Sequence, residues 1–294
     1  MSETRLITTG TAPKRTWTSI SRKPVRLSDA LRVVVLTAGA LACLIPLLWM
    51  FLGSFKTPTE LAQRPPTLLP ESWGLGNYTE ALSRFNFVQY LGNSVIVTIA
   101  ATVLTLAINS MAAYALAKYN FRGKNLLFLL TLATIMIPLQ VILIPVYQVV
   151  ASLGLVNTLW GMIIPAAATP TGVFLLRQYM LSIPDELIEA ARVDGSGEFR
   201  TFVQIVLPLC TPALAVVAIF SVMWRWSDFL WPLVVAQSEA VYTLPVALAR
   251  FNAELTVPFN LILAMGVVST IPVLIIFLIF QRQIATGIAN TGIK

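Results

Sequence analysis

Residues 182–212 carry the sequence SIPDELIEAARVDGSGEFRTFVQIVLPLCTP, which predicts a short helix followed by a tight turn. Pro184 suits the first helical position, because its missing amide hydrogen is not needed there. Asp185 and Glu186 follow in the first turn, where negative charge interacts favourably with the helix dipole. Gly195 suits the left-handed conformation in which many helices end. The first half of the segment is therefore predicted to be one short helix that stops at a glycine turn.

The second half of the segment predicts another short helix over residues 198–207, and Pro208 and Pro212 limit its continuation. Its apolar residues recur at helical spacing, so they are expected to share one side. They are Phe199, Phe202, Val203 and Val206. The whole segment is therefore predicted to be a compact helix–turn–helix with a small, largely apolar surface.

The composition of the surrounding chain indicates a membrane protein. The chain has 294 residues, of which 57% are hydrophobic and 11% are charged, and its mean hydropathy is +0.79. Soluble domains contain about 45–50% apolar and about 25% charged residues. A chain with so few charges does not cover a water-exposed surface, and we therefore expect it to reside in a membrane.

Six stretches are apolar enough to cross a membrane, for which a helix needs about 20 residues. They are residues 33–51, 94–117, 126–150, 159–176, 211–235 and 261–280. Five of them contain no charged residue, whereas the fifth in chain order contains Arg225 and Asp228. The sequence therefore predicts six transmembrane helices.

The distribution of lysine and arginine predicts how these helices are oriented. These residues concentrate in the cytoplasmic parts of membrane proteins. With six spans, the side that holds both termini carries 15 of them and the opposite side carries 4. Both termini are therefore predicted to be cytoplasmic, with residues 1–30 as a mostly disordered tail. The first span begins only at residue 33 and no small-residue cleavage site follows it, so it is not predicted to be a signal peptide.

Several classes of site are not indicated by the sequence. The chain has no histidine and only two cysteines, Cys43 and Cys210, which provide neither a disulfide framework nor metal-ligand spacing. A G-x4-G-K-[ST] phosphate loop is missing, so the chain itself is not expected to hydrolyse ATP. The net charge of +7 does not indicate nucleic-acid binding, because the basic residues lie between apolar runs and not in one stripe. We therefore predict no catalytic residue, no metal and no cofactor in this chain.

Residues 189–208 resemble the E-A-A-x3-G-x9-I-x-L-P loop of ABC importer permeases. The matching positions are Glu189, Ala190, Ala191, Gly195, Ile205, Leu207 and Pro208. The local form EAARVDG, which includes Asp194, is similar to the maltose-type sugar importer branch of that family. Further similarity includes AAYA at residues 112–115, FRGK at 121–124 and WSDFLWPL at 226–233. Two residues depart from the family pattern, since Ser196 stands where alanine is usual and Ser227 where asparagine is usual.

This resemblance implies an all-α membrane protein with six transmembrane helices, the type I ABC importer permease fold and a cytoplasmic coupling helix. It implies a transmembrane domain over residues 31–280, with a permease core at about 90–280, and a cytoplasmic tail over 281–294. The coupling loop at 182–212 would dock into a groove of a separate ATPase, with Glu189 positioning it through charge-assisted hydrogen bonds. Two alternatives stay open: the loop could lie flat on the membrane, and the C-terminal tail could be a frayed end instead of reaching the ATPase.

The resemblance also implies partners. These are a homologous permease subunit in a heterodimer, two cytoplasmic ATPase subunits that bind ATP and Mg, and an extracytoplasmic solute-binding protein. The outer segments at residues 55–89 and 237–260 are large enough to receive that binding protein. The solute would be a carbohydrate, such as a sugar, an oligosaccharide or a sugar-like polyol, carried across the cytoplasmic membrane.

A candidate solute path lies in the most polar span and comprises Trp224, Arg225, Trp226, Asp228 and Trp231. Charged side chains within a span tend to face a water-filled cavity or each other. Because Arg225 and Asp228 are three residues apart on one helix, they can pair. Aromatic faces with polar donors commonly hold sugars, so the cluster could line a sugar route. It also fits an interfacial aromatic belt with a self-satisfied ion pair, and both interpretations stay open.

Two other functions compete with an importer permease. A secondary transporter driven by an ion gradient predicts buried carboxylates or a histidine relay in several spans, whereas this chain offers only Asp228. An intramembrane enzyme requires a catalytic constellation, and the sequence contains none. The sequence therefore favours a permease subunit whose energy comes from a partner.

Overall fold

The computed structural model describes residues 27–254 and 256–291, with side chains from residue 33 to residue 281 except Leu255. The described residues form helices and no strands. The α-helices are α1 Leu27–Gly53, α2 Pro58–Ala62, α3 Gly76–Arg84, α4 Phe87–Lys118, α5 Lys124–Ile135, α6 Leu139–Ser152, α7 Leu159–Ile163, α8 Pro170–Leu181, α9 Asp185–Val193, α10 Glu198–Thr201, α11 Leu207–Leu209, α12 Thr211–Ser227, α13 Leu230–Val235, α14 Leu244–Ala253 and α15 Phe259–Thr291. The predicted N-terminal tail lies almost wholly outside the described residues. The described residues divide into two compact units, with the boundary between Leu48 and Trp49.

Three helices within the described residues are long and apolar enough to cross a membrane. They contain the stretches Val33–Gly53, Phe87–Lys118 and Phe259–Gln281. The number rises to five if two bent pairs each count as one span: α5 with α6, which meet at 107°, and Glu198–Leu209 with α12, which meet at 79°. An all-helical membrane fold is thus confirmed, while the count of six spans stays a prediction.

Proline interrupts two of the predicted spans. The third, at residues 126–150, bends between α5 and α6, where Pro138 is the N-cap of α6. The fourth, at 159–176, is not one helix, because α7 ends at Ile163 and α8 begins at Pro170. Proline lacks an amide hydrogen and disfavours helical backbone in the residue before it. The two apolar stretches therefore lie where they were expected, and each is divided into two helices where a proline caps or begins the second one.

Helix α4 is the element against which α7, α8, α12 and α14 pack. Its buried residues include many polar side chains, namely Asn93, Ser94, Thr98, Thr102, Thr105, Asn109 and Ser110. Most of them form hydrogen bonds to neighbouring elements. For example, the hydroxyl oxygens of Thr102 in α4 and Ser221 in α12 lie 3.0 Å apart and share a hydrogen bond. Buried polar groups are costly without partners, so these contacts define how α4 is set against its neighbours.

The closest approach of α4 to α8 depends on Gly172. Asn109 Nδ2 donates to Thr169 Oγ1 at 2.7 Å, and its Oδ1 accepts from the Thr169 amide at 3.1 Å. A Cβ atom on Gly172 would lie 2.1 Å from Asn109 Nδ2 and 2.7 Å from Thr169 Oγ1. Only glycine therefore fits at this crossing.

The two ends of α4 contact different parts of the chain. Near its start, Asn93 Nδ2 donates to the carbonyls of Ala240 and Tyr242, both at 2.9 Å. At its last residue, Lys118 Nζ donates to Asp185 Oδ1 at 2.6 Å. These ends are about 38 Å apart at a helical rise of about 1.5 Å per residue, which exceeds the roughly 30 Å hydrocarbon core of a bilayer. The segments that contact the two ends therefore lie at opposite ends of one membrane-length helix.

Candidate functional site

Residues 182–212, where the coupling loop is predicted, are called the coupling segment below. Their first half forms the predicted helix and glycine turn. Helix α9 runs over Asp185–Val193, and Gly195 has a φ of +78°. The Ser196 amide donates to the carbonyl of Ala191 at 2.9 Å, and the Gly195 amide donates to that of Arg192 at 3.0 Å. This pair of bonds is a Schellman motif, which satisfies the last carbonyls of a helix. The predicted role of Gly195 in ending the helix is therefore confirmed.

The second half is helical from Glu198 to Leu209, through α10, a π-helical turn at Phe202–Val206 and α11. A helix was expected here, but Pro208 lies inside its last turn instead of ending it. Proline removes one amide donor and its ring crowds the carbonyl four residues earlier. The wider π turn just before Pro208 accommodates both effects. The chain then bends at Cys210 into α12.

The apolar residues of the coupling segment divide between its two faces. Phe202 and Val206 are buried in a cluster that includes Tyr114 of α4 and Met180 of α8. Phe199 is 74% exposed, and Val203 is also exposed. The expectation that all four share one side was therefore wrong. Phe202 and Val206 form a buried edge, whereas Phe199 and Val203 form an exposed apolar edge. The exposed apolar edge continues on α9, where Val193 is 87% exposed.

The residues of the E-A-A loop pattern occupy several environments. Ala191 is buried, and Ile205 and Leu207 are partly buried. The exposed members are Glu189, Ala190, Asp194, Gly195 and Pro208. The Glu189 side chain is exposed, and its positioning of the loop through charge-assisted hydrogen bonds stays a prediction. The pattern therefore marks both residues that anchor the segment and residues that it presents to solvent.

Lys118 at the end of α4 binds the start of α9. Its Nζ donates to the carbonyl of Ile183 and to Asp185 Oδ1, both at 2.6 Å. The Lys118 side chain is only 4% exposed, although Asp185 faces solvent. The hydrogen bond and the charge of Lys118 hold the pKa of the Asp185 carboxyl below its ordinary value. This contact keeps the start of the coupling segment against α4.

Glu198 at the start of α10 binds two other elements. Its Oε1 accepts from Arg192 Nε at 2.8 Å, and its Oε2 accepts from the Tyr119 hydroxyl at 2.6 Å. Arg192 is the main reason that the pKa of Glu198 is lowered. The hydrogen bond from the Tyr119 hydroxyl to Glu198 raises the pKa of Tyr119 to about 12, so the phenol stays protonated and remains a donor. Sequence reasoning missed Glu198, because its partner Tyr119 lies 79 residues away.

The five candidate solute-path residues are not brought together around one space. Trp226 is buried in a core cluster, and buried Trp231 donates from Nε1 to the carbonyl of Gly161 at 3.1 Å. Trp224 is 69% exposed. Among the described residues, Arg225 and Asp228 do not form the expected ion pair. Arg225 Nη2 instead donates to the carbonyl of Ala166 at 2.5 Å.

A shallow cleft lies beside this cluster, between α12, α14 and α15. Its volume is about 360 Å³, and its lining includes Trp226, Ser227, Leu244, Ser269 and Thr270. The Ser269 hydroxyl is buried and has no hydrogen-bond partner within the described chain. Ser227 is exposed and could bond to a hydroxylated molecule there, whereas the Ser269 hydroxyl is not accessible from the cleft. No group of three or more potential metal ligands occurs among the described residues.

Comparison with known proteins identifies the family. The family described as binding-protein-dependent transport system inner membrane component matches residues 106–290. The arabinooligosaccharides transport system permease protein AraQ of Halalkalibacterium halodurans is 40% identical over 258 residues, which cover 87% of this chain and 92% of the relative. The diacetylchitobiose uptake system permease protein NgcG of Streptomyces coelicolor is 32% identical over 276 residues, which cover 92% of this chain and 90% of the relative.

A solved structure is similar over nearly the whole chain. It comes from a bacterial ABC transporter involved in the import of the acidic polysaccharide alginate. The TM-score is 0.80 and the identity is 26%, with 91% of this chain and 99% of that chain covered. These matches are to transporter permeases and give no support to an ion-gradient-driven secondary transporter. The chain therefore belongs to the family of binding-protein-dependent transport system inner membrane components, with the type I importer permease fold of ABC transporters.

Proposed function

We propose that this chain is the permease subunit that carries a carbohydrate across the cytoplasmic membrane, driven by ATP hydrolysis in separate subunits. The observation that carries this proposal is the coupling segment, which presents an apolar edge to solvent at one end of membrane-length α4. Family membership gives the class of transporter, and the relatives AraQ and NgcG carry oligosaccharide names. A sugar or oligosaccharide is therefore the solute that we expect.

The exposed apolar edge of the coupling segment supports docking to an ATPase. Val193 and Phe199 are exposed on either side of the Gly195 turn, with Glu189 and Asp194 beside them. A rigid helix seated in a groove can transmit the rigid-body closure of two ATPase domains to the membrane helices. The alternative of a helix lying on the membrane is weaker, because interfacial helices are rich in lysine and arginine. Acidic residues instead open α9 and α10.

The opposite end supports contact with a solute-binding protein. Asn77 Nδ2 donates to the carbonyls of Ser54 and Lys56 at 2.8 and 2.9 Å, and its Oδ1 accepts from Asn260 at 2.8 Å. These bonds fix part of the outer segment at residues 55–89. It exposes apolar side chains, namely Leu68, Leu69, Trp73 and Leu75. Such a patch is typical of a protein-binding surface.

The remaining assignments follow from the family. A second, homologous permease would complete the membrane part as a heterodimer, and two ATPase subunits would bind ATP and Mg. Both termini would be cytoplasmic, with tails at residues 1–30 and 281–294 on either side of the transmembrane domain. Closure of the ATPases would shift the permease pair from inward-facing to outward-facing by favouring one of two states. The cleft near Trp226 and Ser227 is a candidate for sugar contact, since it places an aromatic ring beside the exposed hydroxyl group of Ser227.

Uptake by cells that produce the complete transporter tests this function. Labelled arabinooligosaccharide and diacetylchitobiose serve as probes, and a labelled amino acid serves as the control solute. We expect uptake of at least one carbohydrate that stops when the ATPase is inactivated and persists when the proton gradient is collapsed. Uptake that follows the gradient instead would overturn the proposal, as would import of the amino acid alone.

A further inference from the structure

The coupling segment is attached to α4 at two separate points by two adjacent residues. Lys118 binds the start of α9, and Tyr119 binds the start of α10 through Glu198. We infer that this two-point attachment makes α4 the helix that carries the movement of the coupling segment across the membrane, with Glu198 as its positioning residue. The inference rests on the proposed function, because it assigns a path to the force that the ATPase supplies.

Burial makes the first attachment a firm one. The Lys118 side chain is 4% exposed, so its ammonium group depends on Ile183 and Asp185 for hydrogen bonds. Breaking a buried charged contact leaves a charge without compensation, which costs far more than losing a surface ion pair. The start of α9 and the end of α4 are therefore expected to move together.

Glu198 makes the second attachment and joins three elements. It lies in α10, accepts from Arg192 in α9 and accepts from Tyr119 at the end of α4. A lone exposed ion pair contributes little, but a carboxylate held by two donors in a network fixes its neighbours more strongly. Both helices of the coupling segment are thereby held to each other and to α4.

Apolar packing fills the space beside the two polar contacts. The ring of Tyr114 in α4 lies 5.1 Å from that of Phe202 in the π turn and 5.4 Å from that of Tyr119. Phe202 and Val206 are buried in the same cluster. The segment therefore contacts α4 through the side chains of this cluster, to which Leu176 and Met180 of α8 also belong. A displacement of the coupling segment reaches α4 through these side chains as well as through the two polar contacts.

The other end of α4 binds the outer segment at residues 237–260. About 38 Å away along the helix, Asn93 holds the carbonyls of Ala240 and Tyr242, and Ser94 Oγ accepts from the Leu244 amide at 2.7 Å. These residues precede or begin α14. The path thus runs from the ATPase side to the outer segment at residues 237–260 through one helix.

The test uses the complete transporter in proteoliposomes and measures the ATP hydrolysed per solute molecule transported. The variants are Glu198→Gln, Tyr119→Phe and their combination, with Thr134→Val as the matched control. Thr134→Val removes an exposed hydrogen bond of 2.7 Å to the Thr131 carbonyl in α5, away from the coupling segment and from both outer segments. We expect each single variant to raise the ratio of ATP hydrolysed to solute transported about fivefold or more. The ratio of the double variant should not exceed the higher of the two single-variant ratios, and the control should have the wild-type ratio.

Two further measurements separate the possible failures. Co-purification of the ATPase with the wild-type permease tests the proposed function, and its failure would remove that function along with this inference. If the ATPase co-purifies but the ratio stays at the wild-type value in both single variants, only the attachment is overturned. Additive effects in the double variant would also contradict it, because contacts that act as one unit are not additive. Should Glu198→Gln fail to fold, Tyr119→Phe decides alone, since it removes only a hydroxyl group.

Discussion

Arg225 Nη2 donates a hydrogen bond of 2.5 Å to the carbonyl oxygen of Ala166, in the non-helical stretch between α7 and α8. Thr105 of α4 donates to the same carbonyl at 3.0 Å. Backbone groups at membrane depth need partners inside the protein. Arg225 therefore supports the break between α7 and α8 and is not half of a local ion pair.

Arg225→Met is expected to destabilise the permease by about 1.5–3 kcal/mol, the range for a hydrogen bond to a charged group. Thermal unfolding of the purified protein in lipid nanodiscs measures this change. Arg84→Met, at an exposed arginine of α3, is the control and is expected to leave the transition unchanged. A variant that unfolds normally but loses transport would instead place Arg225 on the solute path.

Gly172→Ala is expected to cost about 1–3 kcal/mol of stability, as does the insertion of a methyl group into packed structure. The new Cβ would meet Asn109 Nδ2 at 2.1 Å. Gly92→Ala in α4 is the control, because nothing lies within 4 Å of its Cβ, and it should be neutral or slightly stabilising. The same unfolding assay applies. A loss in the control equal to that at Gly172 would contradict a tight crossing.

Gly195→Val and Gly197→Val form a matched pair in the coupling segment. Neither new Cβ would meet a neighbouring atom, but Gly195 has a φ of +78° and Gly197 one of −69°. Valine strains the first backbone by about 1–3 kcal/mol and fits the second. We expect ATPase co-purification to fall in Gly195→Val only. Equal binding by both variants would show that the turn is not needed for docking.

The local parts of the coupling segment were predictable from sequence, because a proline start and a glycine stop act within one helix. The helix at Asp185–Val193 and its turn follow from such signals. The partner of Arg225 was not predictable, since Ala166 lies 59 residues away and is reached only after α7 breaks. The bend at Pro138 does not follow from hydropathy, which counts apolar residues but does not register a lost amide donor.

The coupling ratio of the wild-type transporter is expected to stay constant between about pH 5.5 and 9. The pKa of Glu198 is lowered, so its contribution is present above the ordinary glutamate pKa and is lost only as pH falls through the depressed value. The pKa of Tyr119 is raised to about 12, so its contribution is present below the ordinary tyrosine pKa and is lost only as pH rises through 12. Measurements of the ratio across this range check both signs. A coupling ratio that changes near neutral pH in the wild type but not in Tyr119→Phe would contradict these two directions of pKa shift.

Phe199 and Phe202 are expected to have different roles in the coupling segment: Phe199 contacts the ATPase, and Phe202 stabilises the fold. Phe199 is 74% exposed, whereas Phe202 is 6% exposed. Phe202→Ala should destabilise the permease by about 3–5 kcal/mol, as do other buried phenylalanine truncations. Phe199→Ala should leave its unfolding unchanged but weaken ATPase binding, because the side chain contributes only when a partner covers it. Binding is measured by ATPase titration of the permease in nanodiscs. If Phe199→Ala binds the ATPase as wild type does, the docking groove must accept a different edge of the coupling segment, and Val193 becomes the next residue to truncate.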